Sequence, residues 1–216
     1  MNNFGKLMSG KPFVLWFTGL SGVGKSTMAR HVHARLAAVG LASYILDGDI
    51  LREGLCSNLG FSPQDRHENI RRAAHTARIL QEAGLIVLAA FITPYAEDRC
   101  MLRQLFVPGT YFEVHVDCPL TVCQRRDPKA LYQRAESGLV RDFTGISQPY
   151  EVPEHPDVRI STETLSIEES AQQVWDFLCV NQLVPDRPPS LMASPMAKDR
   201  LSGLSHPFPL RGWPCE

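Results

Sequence analysis

The chain has 216 residues, charged side chains make up 21% of it, and its formal net charge is −1. That length supports one substantial core, while the charge balance excludes the cationic surface of a nucleic-acid binder and no apolar run is long enough to span a bilayer. The six cysteines (Cys56, Cys100, Cys118, Cys123, Cys179, Cys215) are scattered with no C-x-x-C, and the seven histidines show no zinc spacing. They read as reduced thiols in a cytoplasmic protein and as surface imidazoles.

Residues 1–11 lack the long apolar segment of a secretory signal and read as a loose lead-in. Residues 12–18 (PFVLWFT) are almost wholly apolar, which suits a strand buried on both faces of a parallel sheet. Gly19-Leu20-Ser21-Gly22-Val23-Gly24-Lys25-Ser26 follows and fits G-x-x-x-x-G-K-[ST] at every fixed position. Glycines let successive N–H groups point inward at phosphate oxygens, and the next helix offers its N-terminal N–H groups to the same anion. Lys25 supplies a full charge for β and γ phosphates, and the Ser26 hydroxyl suits Mg²⁺. Met28, Ala29, Val32, Leu36 and Val39 then recur at helical spacing, with Gly40 placed to stop the helix. Strand, glycine loop and helix in that order predict a polyphosphate-binding site.

Residues 42–46 (ASYIL) predict a second strand that delivers Asp47-Gly48-Asp49 to the sheet edge where α/β proteins bind ligands. Two acids near a polyphosphate loop suit Mg²⁺ or a base; Asp-Gly is also a turn signal by itself. Ser62 as N-cap, Pro63 at the first helical position and Asp65 beside the dipole open a helix running to about Ala83, with Ile70, Ala73, Ala74, Ala77 and Leu80 as its apolar stripe. Its first turns carry Arg66, Arg71 and Arg72, which oppose the dipole. Anion binding would account for them, and so would a solvated face paired with Glu68.

Residues 85–92 (LIVLAAFI) predict a central strand ending at Thr93-Pro94, a hydroxyl within reach of a phosphoryl group or simply turn chemistry. A helix over 97–105 and an alternating strand over 111–116 follow. Leu120 to Arg126 starts a helix, and the basic stretch from Arg125 to Arg141 (Arg125, Arg126, Lys129, Arg134, Arg141), broken by Pro128 and Gly138, reads either as a lid that excludes water from phosphates or as a charged surface helix. A short fifth strand over 158–161 precedes a capping box at Ser166 and Glu169, which opens a last helix with Ile167, Ala171, Val174, Trp175 and Leu178 inward. From Pro185 onward seven of 32 residues are proline and periodicity ends, as in a disordered tail. Alternating strands and helices predict an α/β fold with a five-stranded parallel sheet covered on both faces, of the P-loop NTPase type, with a lid at about 125–150.

Taken together, FTGLSGVGKST, LDGDILREGL, LGFSPQDRHENIRR, AGLIVLAAFITPY, RDPKALY and DFTGISQPYE, in this order, resemble the adenylyl-sulfate kinase (APS kinase) family over residues 12–184. The resemblance implies transfer of the γ-phosphoryl of ATP to the 3′-hydroxyl of adenosine 5′-phosphosulfate (APS) in sulfate assimilation, with Mg²⁺. It implies that Gly19 to Ser26, with Thr27, hold ATP. It makes Asp49 the candidate to orient or deprotonate the 3′-hydroxyl, with Asp47 or Asp49 able to support Mg²⁺ beside Ser26. Arg52, Arg66 and Asn69 would hold the phosphosulfate nucleotide and Phe61 and Phe143 would sandwich its adenine. Phe91 and Ile92 would form the pocket wall, and Lys129 and Leu131 would belong to the lid. A homodimer, and an association with ATP sulfurylase, are implied in the same way.

The chain departs from the family at Ile50 (usually Asn), Ala130 (usually Gly), Ser147 (often Asp) and Thr93, where relatives carry a serine described as a phosphoryl carrier. Direct transfer is therefore the expectation here. A P-loop kinase for another metabolite is a rival that lacks a use for the two aromatics. A GTPase is a second rival, and the chain has no guanine-reading N-K-x-D. A nucleotide-binding domain with weak activity that works through a partner is a third.

Overall fold

The computed structural model describes residues 11–139 and 142–185. The lead-in and the proline-rich tail therefore lie outside the described residues apart from Lys11 and Pro185, and the lid stretch is described except for Val140 and Arg141.

Five parallel strands form one sheet: β1 (Val14–Thr18), β2 (Ser43–Asp47), β3 (Ile86–Ala90), β4 (Tyr111–Asp117) and β5 (Val158–Ser161), in the order β2-β3-β1-β4-β5. The central strands β1 and β3 are buried along their whole length, as their unbroken apolar runs require. Strand alternation divides the core in two. Leu15 and Phe17 face helices α1 (Lys25–Ala38) and α7 (Ile167–Val180), where Met28, Val32, Leu36, Val174 and Leu178 are buried. Val14 and Trp16 face the other layer, with Ile70, Ala73 and Ala77 of α3 (Pro63–Glu82) and Leu102 of α4 (Ala96–Leu105). Each large apolar side chain so buried contributes roughly 1.5–3 kcal/mol.

The predicted caps form. Ser62 Oγ accepts from Asp65 N at 3.1 Å and donates to Asp65 Oδ2 at 2.8 Å. Ser166 and Glu169 complete the reciprocal capping box of α7. Two short helices were not predicted. Strand β2 runs on to Asp47, whose Oδ1 accepts from Asp49 N at 2.9 Å and so caps a short helix, α2 (Gly48–Glu53). The Asp-Gly pair is thus a helix start rather than a free turn; six residues are too few for an apolar period to reveal it. The expected helix from Leu120 forms as α5 (Leu120–Arg126), and the second unpredicted helix, α6 (Leu131–Glu136), lies inside the basic stretch. Between them Ala130 takes a left-handed φ of 52°, a conformation glycine adopts more readily. Among the described residues no helix is long and apolar enough to cross a membrane.

Candidate active site

At the carboxyl edge of the sheet the phosphate loop passes from β1 into α1. Gly19 has φ 149° and packs so closely on β4 that an added Cβ would lie 2.4 Å from the Val116 carbonyl oxygen, so only glycine fits. Gly24 has φ 102° and immediately precedes α1, turning the chain into the helix. Lys25 is the first helical residue, and its Nζ donates to the carbonyls of Gly19 at 2.9 Å and Leu20 at 2.7 Å. Burial pushes its pKa from the ordinary 10.5 down to about 8, against the opposing charges of Asp49 and Asp47.

A cavity of about 650 Å³ opens over this loop. It is lined by Ser21, Gly22, Gly24, Lys25, Ser26 and Thr27 on one side, and by Asp47, Asp49, Arg52, Phe61, Arg66 and Asn69 on another. Phe91, Ile92 and Thr93 form its wall, and Lys129, Leu131 and Phe143 cover it. Three residues expected at the ATP site belong to the loop but do not line this cavity. Gly19 backs onto β4, Val23 is buried in the core, and Leu20 lines a second cavity of about 570 Å³. Their part is to shape the loop.

The arginines divide. Arg66 is buried, donating from Nε to the Phe61 carbonyl at 3.0 Å and from an Nη to the Asp142 carbonyl at 2.7 Å. Those bonds leave its charge unneutralised beside the cavity. Arg71 and Arg72 instead pair with Glu68 at 2.6 and 2.8 Å, so the solvated-face explanation holds for them. Helix phase separates the two cases: Arg66 and Asn69 share the stripe of Ile70 and Ala73, whereas Arg71 and Arg72 do not. The Arg52 guanidinium lies 4.4 Å from the Phe61 ring centroid. Phe143 is buried edge-on against Tyr132, with centroids 5.0 Å apart. Asn69 Oδ1 is buried with no partner and therefore wants a donor.

The lid stretch lies over the cavity. Tyr132 donates its hydroxyl to the Ser21 carbonyl at 3.0 Å, and Asp127 caps α6 through Leu131 N at 2.8 Å. Lys129 forms an ion pair with Asp49. Both side chains are more than half exposed, so the pair is weak and easily exchanged for an incoming anion. Arg134, one of the basic residues of the lid stretch, also lines the cavity, as does Arg30, which was not singled out from the sequence. The signal for Arg30 was present: it is one turn beyond Ser26.

Thr93 is wholly buried at φ 46°, a costly conformation for a β-branched residue, of order 1–3 kcal/mol. The residues suited to Mg²⁺ also meet here, since the Ser26 hydroxyl and the Asp47 and Asp49 carboxylates line one cavity. Among the described residues no cluster of three or more His, Cys, Asp or Glu could hold a metal by itself. That donor set fits a hard cation held partly by nucleotide phosphates.

The Lys25 environment sets a pH dependence. At neutral pH its amine is charged; above about 8 it loses that charge. Bound phosphates favour the ammonium and raise the pKa again. The expected result is that kcat/KM for ATP falls as pH rises through about 8, while kcat at saturating ATP holds to higher pH. A kcat/KM for ATP that stays flat to pH 10 contradicts this.

The adenylylsulphate kinase family profile matches residues 11–161 of this chain. An adenylyl-sulfate kinase of Geotalea daltonii is 52% identical over 168 residues, covering 78% of this chain and 83% of that protein. One of Marinobacter nauticus is 48% identical over 174 residues, covering 81% and 87%. The solved structure of the Mycobacterium tuberculosis APS kinase CysC in complex with AMPPNP and APS superposes with a TM-score of 0.75 at 46% identity, covering 79% of this chain and 99% of that one. With a full phosphate loop, an acid pair and an arginine-aromatic wall around one cavity, and relatives this similar over most of its length, the chain belongs to the adenylyl-sulfate kinase family.

Proposed function

We propose that this protein transfers the γ-phosphoryl group of ATP to the 3′-hydroxyl of APS, giving 3′-phosphoadenosine 5′-phosphosulfate in sulfate assimilation. The observation that carries the reading is the single cavity that joins Lys25 and Ser26 to Asp49 and to Arg52, Phe61, Arg66 and Phe143. A donor phosphate end and a cationic, aromatic acceptor end face each other across it.

The chemistry is positioning and charge neutralisation, with little covalent work. The loop N–H groups and Lys25 hold the ATP phosphates. Arg52, Arg66 and Asn69 take the acceptor's phosphosulfate, and its adenine lies between Phe61 and Phe143. Phe91 and Ile92 back the acceptor. Asp49 orients the 3′-hydroxyl for in-line attack and takes its proton, exchanging its contact with Lys129 as substrates enter. Lys129 and Leu131 close over the site and exclude water, the competing acceptor. Ser26, with Asp47 or Asp49, would hold Mg²⁺, which would supply neutralising charge at the phosphates.

Residues 12–184 form the kinase domain. The protein works as a cytoplasmic homodimer, and an association with ATP sulfurylase would deliver its acceptor.

The test is a coupled ADP-release assay with Mg²⁺ and APS, AMP, adenosine or shikimate as acceptor. Turnover restricted to APS is expected. Equal turnover with AMP removes the role of Arg52 and Arg66 toward the sulfate, and turnover with shikimate alone overturns the acceptor assignment.

A further inference from the structure

Thr93 stands where relatives carry a hydroxyl described as a phosphoryl carrier, yet its surroundings suit a different task. None of the residue is exposed, although it borders the cavity. Its Oγ1 accepts a hydrogen bond from the indole Nε1 of Trp16 at 2.8 Å. Trp16 lies in mid-β1, is fully buried, and borders no part of the cavity. Its Nε1 is a donor only, so in this dry place it needs an acceptor, and Thr93 Oγ1 provides it. The Thr93 backbone is fixed too: its carbonyl accepts from Arg99 at 3.1 Å, and Thr18 Oγ1 donates to the Ile92 carbonyl at 2.6 Å. These bonds hold the left-handed φ that the residue would otherwise leave.

The same indole reaches the acidic side of the site. Its ring stacks on Phe91 with centroids 5.0 Å apart and planes 20° from parallel. The Phe91 ring in turn lies against Gly48, where an added Cβ would stand 3.0 Å from Phe91 Cδ1. Gly48 separates Asp47 from Asp49. One buried side chain therefore braces the Ile92–Thr93 wall through its N–H and the Asp47–Asp49 segment through its ring.

We propose that Trp16 is a positioning residue for the phosphoryl acceptor, and that the Thr93 hydroxyl is its hydrogen-bond acceptor and not a phosphoryl carrier. The proposal rests on the kinase reading above. The Gly19 N–H also donates to the Ile92 carbonyl at 3.3 Å, but the phosphate loop keeps anchors outside this wall, Gly19 against β4 and Tyr132 on Ser21, so the larger effect falls on the acceptor and ATP binding changes less.

The test compares Trp16→Phe, Thr93→Val, the double variant and Thr93→Ser with the parent. Phe keeps a stacking ring without the N–H; Val keeps the branched shape without the acceptor; Ser keeps the acceptor. Each of the first two is expected to lower kcat/KM for APS about tenfold, because small misplacements of an acceptor are costly, with the ATP dissociation constant within about twofold of the parent. The double variant is expected to be no worse than the worse single, since the two changes remove one interaction. Thr93→Ser is expected to stay within about threefold of the parent, because it keeps the acceptor oxygen.

A fall in folded protein alone would lower kcat equally for both substrates and leave KM unchanged. Should Trp16→Phe not fold, the Val-against-Ser comparison at Thr93 decides. Label from γ-labelled ATP on Thr93, with turnover abolished in Thr93→Val and unaffected in Trp16→Phe, overturns the proposal. So do single variants indistinguishable from an active parent. A parent inert toward APS but active on another acceptor overturns the kinase assignment and the proposal with it, a pattern distinct from either of those.

Discussion

Lys25→Ala is expected to lower kcat by roughly 10³-fold, about 4 kcal/mol of transition-state stabilisation, and to leave the fold intact. The reason lies in where the charge sits. The amine is buried against the loop, where it donates to the Gly19 and Leu20 carbonyls. Burial lowers its pKa to about 8, so the protein holds this charge at a cost that phosphates later offset. Removing it takes nothing from the core and relieves a desolvated cation. The thermal midpoint of the variant should therefore stay within a few degrees of the parent, a shift of about 1 kcal/mol or less. Near-parent turnover would remove the phosphate-loop assignment. A collapsed thermal midpoint would mean that the lysine holds the loop together, which its two carbonyl contacts do not suggest.

Asp49→Asn is expected to lower kcat by roughly 10²–10⁴-fold, the range for losing a positioned base, with KM for ATP little changed. Asparagine keeps the shape of the side chain and loses its ability to take a proton. Asp47→Asn is the comparison. The Asp47 carboxylate accepts Asp49 N at 2.9 Å as the cap of α2, and an asparagine oxygen serves that purpose nearly as well. Its effect should be smaller than that of Asp49→Asn by about tenfold or more if Asp49 carries the base role. Equal losses at the two positions would shift the shared function to metal support. A larger loss at Asp47 would reverse the assignment.

How far the chain could be read before its structure depended on the range of each interaction. Runs such as PFVLWFT and LIVLAAFI announce buried parallel strands, because a sheet covered on both faces has no polar side to alternate with. The caps at Ser62 and Ser166 were legible because their partners lie three residues away. Helix α2 was hidden by its shortness, and the separate start of α6 turns on a left-handed Ala130 that no local preference favours.

At the site, the cluster of arginines in α3 was visible but its division was not made, although the phase of the apolar stripe separates Arg66 from Arg71 and Arg72. The surroundings of Thr93 could not be read at all. Its hydroxyl partner lies 77 residues away on a neighbouring strand, and its backbone is held by Arg99 on α4. Long-range packing of this kind sets the roles of individual hydroxyls and arginines, and it leaves no periodic trace in the chain.

The most direct test of the central claim is the identity of the product. The protein is incubated with ATP, Mg²⁺ and APS, and the nucleotide product is isolated and its new phosphorus located by ³¹P NMR. The account predicts one phosphorylated APS per ADP released, with the phosphoryl group on the 3′-oxygen. ADP released without a phosphorylated APS, or a phosphoryl group on any other oxygen, would contradict it.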